Sequence, residues 1–328
     1  MALSRVTIAF SMAVVTTRSP LTTAVLAHWD PDGKIAPHVE RTVDALTSVA
    51  DSVIVVSSAP LKQSSRLWLS TRTELIEREN TGHDFASYRE GIDRIDQATE
   101  RLLVLNDSAV MPLVPMRVIL DAMKGHRGVW GLTPGYGFTP HIQSYFVAFE
   151  VDALRSATFT SFWNSDKRAT SRDDVIVGRE VGLARTFGAA GFRLDTYYRP
   201  TIPARLGGAA RAHQAALASA LAERRLRSVA GWVGRLPRRA SRPEWNPSAA
   251  LADVALCQPR ALPAVKLSVL RDDPYRLGSA GLLTALEQQH PHEFEGVREY
   301  LERTDRAYGD RWSTTRNARP SLLRYRGT

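Results

Sequence analysis

Short apolar runs bounded by turn residues alternate, over the first two thirds of the chain, with segments whose apolar residues recur at helical spacing. Such runs are typical of buried strands, and a period near 3.6 residues is typical of amphipathic helices. The pattern predicts strands at Thr23–Ala27, Asp51–Ser58, Leu102–Leu105, Val129–Leu132, Ile142–Glu150 and Phe192–Tyr198, and helices at Pro37–Val49, Pro115–Met123, Val175–Ala189 and within Asn80–Ile92. Between Trp68 and Glu77 a weaker pattern leads into the strand-like residues 75–80. Alternating strands and helices indicate an α/β fold with a doubly wound sheet.

The composition changes beyond Pro203, first to Ala, Arg and Leu and then to a proline-rich stretch at 237–247. Helical patterns return around Leu282–Gln289 and His292–Arg306. We therefore predict a sheet domain over residues 1–203 and a basic, mainly helical region over residues 204–328.

Most of the net charge of +9 comes from one segment, since Arg205–Glu244 holds nine arginines and two glutamates. Apolar residues interleave there at roughly helical spacing, which favours contact with an anionic membrane surface. The alternative is a solvated helix that packs its apolar stripe on its own domain. Nucleic acid is not expected as a partner, because no nucleic-acid-binding motif accompanies the arginines.

A single cysteine, Cys257, excludes an intrachain disulfide and a cysteine-built zinc site. The apolar run Val6–Val15 is too short to span a membrane and lacks a clear cleavage site, so we interpret it as a strand or an extension rather than a secretion signal. These features favour a cytoplasmic protein, with peripheral contact at the inner face of the plasma membrane as an additional expectation.

A glycine turn and a helix precede the strand Leu102–Leu105. Gly82 permits positive φ or close approach of the backbone to a ligand. Asp84, Ser87 and Tyr88 lie at the turn or in the first helical turn, where N–H groups and hydroxyls can receive a phosphate or ribose. Alone, the pattern also fits an N-capped helix in which Asp84 bonds the backbone. The strand that follows strengthens the ligand interpretation.

Asn106, Asp107 and Ser108 follow that strand, at the edge of an open α/β sheet where ligands usually bind. A carboxylate beside other oxygen donors suits Mg²⁺ or Mn²⁺, which would neutralise a departing diphosphate. A single carboxylate makes a weak metal site, and the alternative is that Asn106 and Asp107 cap the next turn.

Glu180 precedes a helix whose apolar positions face the core, so its carboxylate should point to the ligand edge or to solvent. A carboxylate there could take a proton from an attacking hydroxyl. Asp173 and Asp174 are rivals for this role, and all three also fit acidic residues favoured at a helix N-terminus.

Several enzyme classes are disfavoured by missing motifs. The chain has no paired-histidine zinc motif, no G-x-S-x-G turn, no phosphate-binding P-loop and no G-x-G-x-x-G after a strand.

Several segments together are specific to one family. They are A-H-W-D-P-D-G-K-I at 27–35 followed by V-I-V-V-S-S, R-E-N-T-G-H-D-F-A-S-Y-R-E-G-I at 78–92, L-L-V-L-N-D-S-A-V-M-P-L at 102–113, W-G-L-T at 130–133, H-I-Q-S-Y-F-V-A-F at 141–149, F-W at 162–163, the Glu180 segment, Asn246-Pro247 and the run at 263–274. With these segments, most of the chain resembles the rhamnan synthesis protein F family of bacterial polysaccharide glycosyltransferases.

The resemblance implies a GT-A-like, Rossmann-type mixed sheet flanked by helices, and a transferase that uses a nucleotide-sugar. The implied donor is dTDP-L-rhamnose, and the implied acceptor is a cell-surface polysaccharide or lipid-linked glycan. Similarity to the wider family 2 glycosyltransferases assigns donor binding to Asn80 and Gly82, the acidic strand end to Asp107, and the base to Glu180. One acidic residue in Asn106-Asp107-Ser108 departs from the usual acidic triplet.

Two further groups complete the hypothesis. His28, Asp30 and Ser57, at the ends of the first two strands, would hold the nucleotide base and ribose. His141, Gln143 and Ser144 would contact the sugar or acceptor, and transfer would invert the anomeric configuration. The alternative function is a non-catalytic polysaccharide-assembly factor that binds the sugar nucleotide or a lipid carrier.

Overall fold

The computed structural model describes residues 19–136, 140–165, 180–222, 244–258 and 261–308. The apolar run Val6–Val15, the rival carboxylates Asp173 and Asp174, and residues 223–243 of the arginine-rich segment lie outside these ranges.

A seven-stranded mixed sheet forms the centre of the molecule. Its strands are β1 Thr22–His28, β2 Ser52–Ser57, β3 Glu74–Glu77, β4 Arg101–Asn106, β6 Val129–Gly131, β9 Phe146–Glu150 and β10 Leu194–Thr196. Their order across the sheet is β10-β6-β9-β4-β1-β2-β3. The pairs β1–β2, β1–β4, β2–β3 and β6–β10 are parallel, whereas β9 runs antiparallel to both β4 and β6. The predicted α/β class with a mixed sheet is confirmed.

Apolar side chains on both faces explain why the central strands are continuous apolar runs. All seven residues of β1 are buried. Ala24 and Leu26 pack into one hydrophobic cluster, and Val25 and Ala27 pack into another. Because successive side chains of a strand point to opposite faces, each face needs its own apolar cover.

Helices cover both faces of the sheet. Those before residue 204 are α1 Pro37–Thr47, α2 Gln63–Ser70, α3 His83–Ile92, α4 Met116–Ala122, α5 Val151–Leu154, α6 Ala157–Trp163, α7 Val181–Ala189 and, beginning at the predicted boundary, α8 Ile202–Ala222. The predicted strand Ile142–Glu150 is shorter than expected, because His141–Ile142 (β8) instead pairs with Pro134–Gly135 (β7).

The C-terminal region contains α9 Pro247–Ala250, α10 Val254–Cys257, β11 Val265–Lys266, α11 Leu267–Asp272, α12 Ser279–Gln289, α13 Pro291–Phe294 and α14 Val297–Tyr308. The helix predicted over residues 292–306 is thus two helices. Gly296 separates them with a φ of 71°, and a Cβ there would lie 2.7 Å from Pro37. The left-handed conformation ends one helix and admits the close approach.

The C-terminal region packs onto the sheet through a shared core. Leu267 and Leu283 belong to the same hydrophobic cluster as Val43 and Leu103. Strand β11 pairs antiparallel with β5 (Ala109–Val110), which directly follows the end of β4. This pairing brings C-terminal residues to the strand tips where the site was predicted. No described helix has the length and apolar character needed to cross a bilayer.

Candidate functional site

The ends of β1 and β2 lie side by side and hold buried polar side chains. His28 Nδ1 lies 3.0 Å from Ser57 Oγ, and both residues are almost fully buried. Burial lowers the pKa of His28 to about 4, so its imidazole is neutral at neutral pH. The two side chains are hydrogen-bonded to each other and shielded from solvent, and their role in base or ribose binding stays a prediction.

Asp30, the third residue of the predicted base and ribose group, is bonded to the C-terminal region. Both of its carboxylate oxygens accept hydrogen bonds from Arg303 of α14, at 3.0 and 2.6 Å. The backbone N–H groups of Asp32 and Lys34 donate to the same carboxylate. These bonds stabilise the loop after β1, and the ligand-binding role of Asp30 stays a prediction.

The glycine turn before α3 adopts the conformation that its sequence suggested. Gly82 has a φ of 74°, and a Cβ at this position would lie 2.8 Å from Ala86 Cβ. The turn is solvent-exposed at Asn80, Gly82 and Asp84, and Ser87 is buried one turn into the helix. The first N–H groups of a helix have no partners within the helix, so an exposed N-terminus such as that of α3 can bind an anion.

A hydrogen bond joins this turn to the tip of β4. Asn106 Nδ2 donates to Asp84 Oδ2 at 2.7 Å. Asn106 Oδ1 accepts from both the backbone N–H and the hydroxyl of Ser108, at 3.2 and 2.6 Å. The structure therefore brings together two of the groups that the sequence predicted to form one site.

Asp107 directly follows β4 and bonds the residue that follows β1. Its Oδ2 accepts a hydrogen bond from the backbone N–H of Trp29 at 2.7 Å. Burial raises the pKa of Asp107 to about 8; the bond from Trp29 opposes this rise and the charge of Asp84 adds to it. A carboxyl group in this setting holds a proton near neutral pH.

The donors at Asp107 do not fit a Mg²⁺ or Mn²⁺ ion held by the protein alone. Such ions take about six oxygen ligands. The amide oxygen of Asn106 already accepts from Ser108, and Asp107 belongs to no group of three convergent ligand residues among those described.

A second polar group lies further along the same edge, around Glu180 at the start of α7. The Tyr88 hydroxyl donates to the backbone oxygen of Ser144 at 3.0 Å, and Ser144 Oγ donates to Glu180 Oε1. Burial, and then the charges of Asp84, Glu180 and Asp107, raise the pKa of Tyr88 well above its ordinary value. One continuous site therefore extends from Asp84 to Glu180.

Glu180 faces two side chains from other segments. His141 Nε2 lies 3.8 Å from Glu180 Oε2 and 3.6 Å from Glu244 Oε1. Gln143 Nε2 lies 3.0 Å from the same nitrogen. The predicted residues His141, Gln143, Ser144 and Glu180 are therefore neighbours in space.

Sequence reasoning missed Glu244 and Lys266 as members of this site. Lys266, on β11, is brought close enough that its positive charge acts on the Asp84 carboxyl, and its ammonium lies 5.2 Å from the Tyr145 ring. No local pattern marked either residue, because both reach the site through long-range packing of the C-terminal region.

Residues 53–211 match the family model of rhamnan synthesis protein F. The match extends from β2 through the first ten residues of α8 and includes Asp84, Asn106 and Glu180. It confirms the resemblance inferred from the sequence for this part of the chain, whereas the segments at 27–35, 246–247 and 263–274 lie outside it.

Two curated relatives align with part of the chain. An uncharacterized protein, y4gN, of Sinorhizobium fredii is 27% identical over 186 residues, which cover 54% of this chain and 48% of the relative. Virulence protein VirA of Vibrio anguillarum is 30% identical over 130 residues, which cover 38% of this chain and 41% of the relative. The chain thus spans less than half the length of either relative.

Solved structures with a similar backbone are distant. A putative nucleotide-diphospho-sugar transferase from Desulfovibrio desulfuricans G20 has a TM-score of 0.37 at 8% identity, covering 54% of this chain and 80% of that one. A putative glucose-1-phosphate thymidylyltransferase from Bacillus anthracis has a TM-score of 0.38 at 8% identity, covering 53% and 85%.

Proposed function

We propose that this protein transfers a sugar from a nucleotide-sugar to a cell-surface polysaccharide or lipid-linked glycan, with dTDP-L-rhamnose as the donor. The family match over residues 53–211 supports the class of reaction. The observation that carries the proposal is the 2.7 Å hydrogen bond between Asn106 and Asp84, because it unites the glycine turn with the tip of β4 in one site.

The donor diphosphate binds at the turn before α3 in this proposal. The first N–H groups of a helix are unpaired within the helix and favour an anion. Lys266 supplies positive charge on the same side, which would stabilise the nucleoside diphosphate as it leaves. No step depends on an ion at Asp107.

The acceptor binds at the other end of the site, near Ser144 and Glu180. Its hydroxyl oxygen attacks the anomeric carbon from the side opposite the diphosphate, so the configuration inverts. The Glu180 carboxylate takes the hydroxyl proton, and the nucleoside diphosphate departs with the electron pair of the broken bond.

A binding and turnover assay with the purified full chain tests this proposal. The protein is mixed with dTDP-L-rhamnose and with other nucleotide-sugars, and donor affinity and acceptor-dependent release of nucleoside diphosphate are measured. We expect Asp84→Ala to weaken both at least about tenfold, while Asp93→Ala, an exposed position at the end of the same helix, leaves both unchanged. If no nucleotide-sugar binds, or if Asp84→Ala matches the wild type, the proposal is wrong. Donor binding without turnover would favour the assembly-factor function.

Membrane-surface contact of a cytoplasmic protein remains part of the proposal. Ile202 and Leu206 lie one turn apart on α8, where the arginine-rich segment begins, and are 74% and 68% exposed. We expect vesicles with anionic lipid to sediment the full chain and neutral vesicles to leave it in solution. Equal sedimentation with both vesicle types, or with neither, would rule this contact out.

A further inference from the structure

Three side chains from distant parts of the chain point their ligand atoms at one position. His141 comes from β8, Glu180 from the start of α7 and Glu244 from the segment before α9. One ligand atom from each residue lies within 4.8 Å of the other two. His141 Nε2 is 3.8 Å from Glu180 Oε2 and 3.6 Å from Glu244 Oε1.

The separations from His141 Nε2 to the two carboxylates are longer than hydrogen bonds and suit atoms that share a central ion. An ion at this nitrogen would displace the Gln143 amide, whose Nε2 lies 3.0 Å from it. Zinc lies about 2.0–2.2 Å from nitrogen and oxygen ligands, which places neighbouring ligand atoms roughly 3–3.6 Å apart. The two distances from His141 Nε2 are within a few tenths of an ångström of that spacing, and the Glu180 and Glu244 ligand atoms lie within 4.8 Å of each other. Two carboxylates held this close also repel each other, and a cation between them removes the repulsion.

The backbone around His141 leaves room for this arrangement. The His141 side chain is fully buried, while those of Glu180 and Glu244 are 11% and 26% exposed. A Cβ at Gly135, which pairs with His141 across β7 and β8, would lie 2.2 Å from His141 Nε2. Glycine at this position therefore gives the imidazole nitrogen its space at the edge of the cluster.

We infer that His141, Glu180 and Glu244 bind one divalent first-row transition-metal ion of the Mn²⁺ to Zn²⁺ series. An imidazole nitrogen with two carboxylates suits these ions, whereas Mg²⁺ prefers oxygen ligands alone. Three protein ligands leave at least one coordination position for a water or a substrate oxygen.

The metal site adds one step to the proposed function, the activation of the acceptor hydroxyl, and only this step rests on the proposed function. An acceptor hydroxyl that takes the open position would have its pKa lowered by the ion. Its proton would pass to solvent, and its oxygen would form the new bond to the anomeric carbon. Glu180 is then a ligand of the ion rather than the direct proton acceptor.

Titration of the metal-stripped full chain with Zn²⁺, Mn²⁺ and Mg²⁺ tests the site. We expect one equivalent of Zn²⁺ or Mn²⁺ to bind and raise the unfolding temperature, with weaker binding of Mg²⁺. Glu244→Gln keeps the size of the side chain and should lower Zn²⁺ and Mn²⁺ affinity at least about tenfold. Glu90→Gln, an exposed glutamate of α3 away from the cluster, should leave affinity unchanged.

Two further variants guard against misleading results. Gly135→Ala should also weaken binding, because its methyl group would occupy space beside His141 Nε2. Cys257→Ser should leave binding intact, because the exposed Cys257 could otherwise capture Zn²⁺ by itself. Binding that disappears with Cys257→Ser, that persists undiminished in folded Glu244→Gln, or that is absent from the wild type overturns the inference.

Experiments can reject the metal site and the proposed function independently of each other. Loss of metal in Glu244→Gln without any sugar transfer by the wild type would leave the site standing and remove the function. Sugar transfer by a wild-type protein that binds neither Zn²⁺ nor Mn²⁺ would leave the function standing and remove the site.

Discussion

Arg303 and Asp30 are 273 positions apart and form a paired set of hydrogen bonds, at 3.0 and 2.6 Å. The Asp30 side chain is 2% exposed and the Arg303 side chain 24%. This pair fastens α14 to the loop that follows β1, beside the predicted donor site. Its partial burial makes it a stronger structural link than an exposed ion pair.

Replacing Arg303 by Met should therefore destabilise the protein by about 2 kcal/mol, since Asp30 would keep a buried charge without its main partner while water partly compensates. Urea unfolding followed by circular dichroism measures the change. Arg66→Met is the control: it breaks the exposed pair with Glu77 and should leave the free energy of unfolding near the wild-type value. Equal losses in the two variants would contradict this assignment.

The pair of Arg303 and Asp30 also predicts how the stability of the protein changes at acidic pH. Burial acts to raise the pKa of Asp30, but the hydrogen bonds from Arg303 and from the backbone of Lys34 and Asp32 outweigh it and hold the pKa below its ordinary value. A lowered carboxyl pKa contributes stability above the unfolded-state pKa, and this contribution is lost as pH falls through the folded-state value. The difference in unfolding free energy between wild type and Arg303→Met should shrink below about pH 4. A constant difference across this range would show that the ionisation of Asp30 is not involved.

Asp107 should have the opposite effect. Its pKa is raised to about 8, first by burial, so between the unfolded-state value of 3.8 and about 8 the folded protein holds a proton that the unfolded chain releases. Stability therefore falls as pH rises through this window. The unfolding temperature of Asp107→Asn minus that of the wild type should therefore be larger at pH 8.5 than at pH 4. Asp121→Asn, at an exposed position, should show no such trend.

Gly82→Ala should lower both stability and donor affinity. The left-handed backbone costs an alanine about 1–2 kcal/mol, and the new methyl group would lie 2.8 Å from Ala86 Cβ. Gly125→Ala is a matched control, because Gly125 has a φ of 78° with open space around its Cβ position. Any loss of stability in Gly82→Ala beyond that in Gly125→Ala is then due to the contact of the new methyl group with α3. Equal melting temperatures would show that α3 absorbs the methyl group.

Tyr88→Phe tests the link between the two ends of the site. The variant removes the hydroxyl that donates to the backbone oxygen of Ser144 at 3.0 Å. Stability should fall by about 1 kcal/mol, because the buried oxygen loses a donor. Zn²⁺ affinity and sugar transfer should both decrease, since Ser144 holds Glu180. Unchanged metal affinity with a folded protein would show that Glu180 is positioned independently of Tyr88.

Local patterns predicted much of the fold. The apolar run of β1 and the helical period of α1 identify their elements, because a strand covered on both faces and an amphipathic helix each impose a period on the sequence. Gly82 was recognisable as a special turn, because other residues avoid its φ. The division of one predicted helix at Gly296 was missed, because the close approach of Pro37 is not visible in the neighbouring sequence.

The sequence by itself determined the order of strands and helices, the burial of the central strands and the presence of polar residues at their ends. Each of these follows from side-chain periodicity or backbone preference within a few residues. Only the tertiary structure decided that Arg303 bonds Asp30, and that His141, Glu180 and Glu244 meet. Such contacts depend on how distant segments pack over a shared core. The free energy that favours this packing comes from many apolar side chains, so the sequence around any one of the residues that meet does not predict the contact.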